Sequence, residues 1–208
     1  MEITSVEKNK KNPDQLIVYI DNQFAFSIYE EDYLSLNLYE KKKITQEEIN
    51  HIKHDINYKR AKSYAIRYLI LKVRSELEIR QKLKDSSFDT ATINKAIDEL
   101  KALGYINDRL YVQKYIYDRS KLKPRSKKLL KYELMAKGIE EGIIDEILNE
   151  WKMDESVVVE GLLRKKFGKY DLSDEKIMRR AYSFLQYRGF NYEIAKKAIN
   201  KLISANNN

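Results

Sequence analysis

The sequence predicts a mostly α-helical protein, an elongated array of three tandem three-helix repeats behind a small N-terminal β hairpin or three-stranded sheet. Three observations carry that prediction. The chain resembles itself at a fixed spacing of 51 residues without an inserted residue. Glycine and proline are scarce, 6 and 2 among 208 residues, so little interrupts a helix. Residues 15–29 instead read "QLIVYI" and "QFAFSIY" around Asp21 and Asn22, the pattern of a hairpin.

The hairpin places Phe24, Phe26 and Ile28 on one face, and "EITSVEKN" offers a third strand. A polar loop runs from Lys8 to Asp14, and a short helix is expected near Glu30 to Leu36. Thr45 and Glu48 have the spacing of a capping box, which starts the helix leading into the first repeat. The small sheet is expected either to cap the helical array or to serve as a separate docking module. The expected organisation is therefore 1–57 for the N-terminal β extension and linking helix, then repeats at 58–106, 107–157 and 158–208.

Each repeat follows from aligned apolar positions. The 51-residue shift superposes Ala61, Val112 and Leu163, then Ala65, Ile116 and Phe167, then Leu83, Leu134 and Leu185. Beyond a turn at Ser87, Gly138 and Gly189 it continues through Phe88, Ile139 and Phe190. Ile93, Ile144 and Ala195 follow, then Ile97, Leu148 and Ile199, and finally Leu100, Trp151 and Leu202. In the first copy the helices fall near 59–72, 75–86 and 90–103, with Ile79 and Leu83 sharing one face. Gly138 and Gly189 supply the positive φ that ends a helix, whereas Ser87 must make the same turn without glycine's freedom. Asp89 and Asp108 are expected as helix caps.

Composition excludes several functions. With no cysteine there is no disulfide, thiolate nucleophile or thiolate metal site. No apolar run approaches a membrane span and no secretory leader pattern opens the chain, so a soluble, cytoplasmic protein without membrane contact is expected. There is no Gly-rich phosphate loop, and no cluster of carboxylates at a spacing suited to divalent ions. His51 and His54, three residues apart, belong to a solvated helix face and not to a metal site. The expectation is a non-enzymatic protein with no cofactor and no metal.

What remains is basic surface. The formal charge of +8 favours a polyanionic partner or an acidic protein surface. "KLKPRSKKLLKYELMAK", from Lys121 to Lys137, holds seven Lys or Arg residues against one acid, Glu133. The third repeat adds Arg164, Lys165, Lys166, Lys169, Arg179, Arg180 and Arg188, and the first adds Lys72, Arg74, Arg80 and Lys82. Tyrosine is abundant, with Tyr64, Tyr68 and Tyr115 expected half-buried and Tyr111, Tyr117, Tyr132 and Tyr187 at the surface, where such rings anchor proteins or stack on bases.

Four stretches together resemble the bacterial RecX regulatory proteins, which act on the recombinase RecA: "RSELEIRQKL" at 74–83, "LGYINDRLYVQKYIYDR" at 103–119, "KLLKYELMAKGI" at 128–139 and "FLQYRGFNYEIAKKAI" at 184–199. The resemblance covers residues 58 to 203. It implies tandem three-helix repeats in a curved molecule that lodges in the groove of the RecA filament on single-stranded or double-stranded DNA. It further implies a non-enzymatic modulator that restrains recombination, ATP hydrolysis by RecA and its coprotease activity; a monomer is expected. Asn107–Asp108 stands where paired aspartates are common in the family, and Pro124 where a glycine-proline pair is common.

The residues expected to contact filament or DNA are Arg74, Arg125, Lys127, Lys128, Lys131, Arg179, Arg180 and Arg188. Replacing Arg125, Lys127 and Lys128 together by glutamate is expected to weaken binding with little loss of helicity. The rival reading is a general non-enzymatic DNA-binding protein. A structure-specific nuclease and a helical scaffold for an acidic protein are the further alternatives.

Overall fold

Strands β1 (Ile3–Lys8), β2 (Gln15–Ile20) and β3 (Gln23–Tyr29) form an antiparallel sheet in that order, so "EITSVEKN" does supply the third strand. The computed structural model describes residues 1–206. They divide into two units, Met1–Asn107 and the remainder from Asp108 onward. The hairpin turns at Asp21 and Asn22, with φ of 49° and 64°. Two left-handed central residues give the turn whose twist matches that of the strands.

One expectation about the sheet fails. Phe26 and Ile28 are buried, but Phe24 is 62% exposed. The register shifts between Val18 and Tyr19, so Phe26 lies opposite Val18 while Phe24 lies opposite Tyr19. A bulge inserts one residue and inverts the alternation beyond it. Phe24 therefore packs edge-on against Tyr19, ring centroids 6.5 Å apart, on the other face.

The first unit continues with α1 (Glu30–Ser35), α2 (Gln46–His51), α3 (Asn57–Leu71), α4 (Glu76–Asp85) and α5 (Thr90–Ala102). Thr45 and Glu48 form the expected capping box on α2, and Asp89 caps α5. Residues Ile52–Ile56 join α2 to α3 as a π-helical turn. The wide turn weakens the regular ladder. The Lys53 carbonyl accepts from the Thr92 hydroxyl at 3.4 Å, and the His54 carbonyl from the Lys95 ammonium at 3.1 Å.

The sheet caps the first repeat. The buried Gln15 amide donates to the Ser86 carbonyl at 2.9 Å, and Asn57 donates to the Ser27 carbonyl at 2.8 Å. Arg60 on α3 holds α1 with a two-pronged contact to Asp32, at 2.8 and 2.7 Å.

The second unit comprises α6 (Asp108–Leu122), α7 (Lys127–Met135), α8 (Glu141–Glu150), α9 (Glu155–Phe167), α10 (Glu175–Tyr187) and α11 (Tyr192–Asn206). The aligned positions Ala61, Val112 and Leu163 are all fully buried, as are Leu83, Leu134 and Leu185. Ser87, Gly138 and Gly189 have φ of 63°, 77° and 81°. After each, the amide of Phe88, Ile139 or Phe190 donates back five residues to the carbonyl of Leu83, Leu134 or Leu185, at 3.3, 3.3 and 3.1 Å. This is the left-handed helix stop with its apolar latch, made three times.

Trp151 departs from the aligned pattern. It lies just beyond α8 in an extended conformation and is half-buried, while Ile147 fills the core. Asp108 is the first residue of α6 itself and adds its charge to that first turn. Within the second unit the last two repeats are bound together. The Ser126 amide donates to the Arg188 carbonyl at 3.0 Å, and the Lys127 amide to a Glu155 carboxylate oxygen at 2.8 Å. No helix among the described residues is long and apolar enough to cross a membrane.

Candidate interaction surface

The first and second helices of each repeat build one recurring constellation of rings and cations. In the first repeat Tyr64 and Tyr68 lie four apart on α3 and so share a face. The Arg74 guanidinium sits 4.4 Å from the Tyr68 ring centre, and the Lys82 ammonium 5.6 and 5.8 Å from the Tyr64 and Tyr68 rings. Such positions draw the cation to the negative ring face. The capping box of Ser75 and Glu78 on α4 fixes the chain next to Arg74, whose Nε is buried with no hydrogen-bond partner.

Fifty-one residues later the same places hold Tyr115, Arg119, Arg125 and Glu133. Here a carboxylate replaces Lys82 and the constellation closes on itself. Tyr115 donates to Glu133 at 2.8 Å, Arg119 donates to the Tyr115 hydroxyl at 3.0 Å, and Arg125 is ion-paired with Glu133. Burial raises the Tyr115 phenol above its ordinary value, and its hydrogen bond to Arg119 raises that guanidinium in turn.

In the third repeat the equivalent places hold Lys166, Tyr170 and Phe184. The Lys166 ammonium is 4.1 Å and the Arg188 guanidinium 4.5 Å from the centre of the Phe184 ring. Burial, and then the neighbouring Arg125 charge, lower the Arg188 guanidinium below its usual value. Among the described residues no carboxylate pairs with Arg74, Lys82, Lys166 or Arg188. These charges have rings beneath them and, among the described residues, no carboxylate counter-ion.

The eight residues singled out from sequence fall into three groups. Arg74, Arg125 and Arg188 are half-buried, each with its Nε shielded from solvent and unbonded, and the structure brings Arg125 and Arg188 together. Lys127 and Lys131 are engaged internally: Lys127 Nζ donates to the Leu148 carbonyl at 2.7 Å, and Lys131 bridges Glu141 and Asp145 at 2.6 and 2.7 Å. Arg179 pairs with Glu175 on its own helix, whereas Lys128 and Arg180 are exposed with no carboxylate in reach among the described residues.

Sequence reading passed over Arg119 and gave Lys166 no special weight. The signal was available in the spacing, since the 51-residue shift that aligns Tyr64 with Tyr115 also reaches Lys166. Tyr111 was expected at the surface but is 5% exposed and stacks on Tyr115, while Tyr117, Tyr132 and Tyr187 are exposed as expected. Among the described residues no group of three or more His, Asp or Glu side chains is arranged to hold a metal. His51 is instead 2.9 Å from Asp55 on an exposed face.

Comparison with known proteins agrees along the whole chain. Residues 1–45 match the regulatory protein RecX N-terminal domain. Residues 61–100, 107–148 and 158–199 match the first, second and third three-helix domains of RecX. Regulatory protein RecX of Clostridioides difficile (strain 630) is 32% identical over 206 residues, covering 97% of this chain and 96% of that one. Its counterpart from Clostridium beijerinckii is 31% identical, covering 98% and 96%. A crystal structure of regulatory protein RecX superposes with a TM-score of 0.64 at 21% identity, over 96% of this chain and 98% of that one, a likeness of fold. A crystal structure of RecX from Lactobacillus salivarius gives 0.57 at 23% identity, over 70% and 96%.

Proposed function

This chain belongs to the RecX family of regulatory proteins, and from that premise we propose that it binds the RecA–DNA filament and restrains the recombinase, ATPase and coprotease activities of RecA. It acts as a regulator and not as a catalyst. The observation that supports the filament as partner is the constellation repeated every 51 residues, which offers uncompensated cations on aromatic rings in the first and third repeats. A filament presents equivalent sites at fixed intervals. A chain of similar units meets several of them at once, so that weak contacts add through effective concentration.

Inhibition of RecA strand exchange, measured beside binding to a preformed filament and to bare single-stranded DNA at one salt concentration, tests this reading. Inhibition with preference for the filament is the expected result. Equal affinity for bare DNA and filament would favour the general DNA-binding reading, to which the exposed Lys128 and Arg180 lend some support.

A further inference from the structure

The second unit contains a groove of about 580 Å³ between the C-terminal end of α6 and the faces of α9 and α10. Leu122, Val157, Leu162 and the Phe184 ring give it apolar walls. Leu122 is 80% exposed and Val157 66% exposed, so both lie open in the same groove. Lys121, Lys165, Lys166 and Arg188 also line it, and the lining includes no carboxylate.

Gly161 on α9 also lines the groove. Glycine inside a helix is less favourable than alanine, and a Cβ added here would meet nothing within 4 Å. The position leaves room that the protein's own packing does not use.

We propose that this groove receives an acidic peptide segment of a partner protein, with a bulky apolar side chain seated between Leu122, Val157 and Leu162 and flanking carboxylates on Lys121, Lys165 and Arg188. Charge complementarity selects an acidic occupant. The walls select peptide over nucleic acid, because they are mostly aliphatic and their one aromatic ring, Phe184, already carries cations at 4.1 and 4.5 Å, where a base would have to stack. The proposal deepens the filament reading and rests on it for the identity of the partner, assigning this part of the second unit to protein contact.

The test uses the full chain and a fluorescein-labelled peptide with a central leucine and phenylalanine between triplets of glutamate. One control peptide replaces the apolar pair by serine, and another replaces the glutamates by glutamine. Fluorescence anisotropy is expected to show each control binding about tenfold more weakly. Leu122→Ser and Gly161→Leu are expected to weaken the acidic peptide by a similar factor. Gly161→Leu fills the groove with no backbone strain and with better helix propensity, so its melting temperature should not fall.

Absence of binding to the acidic peptide, equal binding of the three peptides, or indifference to Gly161→Leu would overturn the proposal. So would tighter binding of an oligothymidylate that both substitutions abolish. RecA-filament binding by the unaltered chain is measured in parallel. Peptide binding without filament binding would refute the filament reading and leave the groove assignment standing, and the reverse result would do the opposite.

Discussion

Ser87 and Gly189 occupy the same repeat position with φ of 63° and 81°, yet only one of them is a glycine. A side chain in the left-handed region is strained, so Ser87→Gly is expected to raise stability by about 1 kcal/mol, read as a higher denaturation midpoint. Gly189→Ala should cost about 2 kcal/mol or more. Besides the strain, its Cβ would fall 2.6 Å from both Leu129 Cβ and Ser126 Oγ. Arg125 carries a different lesson. Its side chain and that of Glu133 are each only 18% exposed, and Lys127 reaches the Leu148 carbonyl. Placing glutamates at Arg125, Lys127 and Lys128 together would set one carboxylate against another and strip a helix end, so any lost binding would be mixed with unfolding. Lys128→Glu alone is the cleaner probe, expected to change stability by no more than about 0.5 kcal/mol while weakening filament binding. The sequence showed that these residues are basic; which of them are already spent on internal partners depends on acids distant in the chain.

Among the elements, helix starts and stops were legible because their chemistry is local. The Thr45 capping box and the three left-handed stops are each written within a few residues, as is the Ser75 box, which sequence reading passed over. Phe24 was misread because a bulge depends on the partner strand, and Tyr111 because its burial depends on how α6 packs in the fold. The box on α2 also makes a pH prediction. Lys41 and the Thr45 backbone amide lower the Glu48 carboxyl to about 2. A carboxyl depressed on folding stabilises the native state above its unfolded value, near 4.3, and loses that contribution as pH falls toward the folded value. Glu48→Gln, which preserves the reciprocal hydrogen bond, should therefore flatten the loss of melting temperature between those limits. An unchanged slope would show that Glu48 is not the group responsible. Because Lys41 and Glu48 both stay partly open to solvent, the effect should also shrink in added salt.

For the molecule as a whole, periodicity carried most of what could be foreseen. A spacing of 51 residues announced three units and their buried positions before any contact was known. It did not announce that Glu133 would pair with both arginines of the middle constellation while its neighbours stay open, because the same alignment that relates these positions treats lysine, glutamate and phenylalanine as equivalent. Binding by the outer constellations predicts that Arg74→Ala and Lys166→Ala together lower filament affinity more than additively, by loss of avidity, with a titration of each single and the double variant as the check. The π-helical turn at Ile52–Ile56 has its own consequence. One surplus residue in a continuous helical run works as a phase shifter: it turns everything after it by about 100° relative to an uninterrupted α-helix. Here that offset lets Ile49 and Ile52 face the sheet while Asn57 still meets Ser27 and Ala61 enters the next core. Deleting Lys53 would restore an ordinary helix and yet misindex the two cores of the first unit. A shorter sequence with higher local helical regularity should thus be the less cooperative protein.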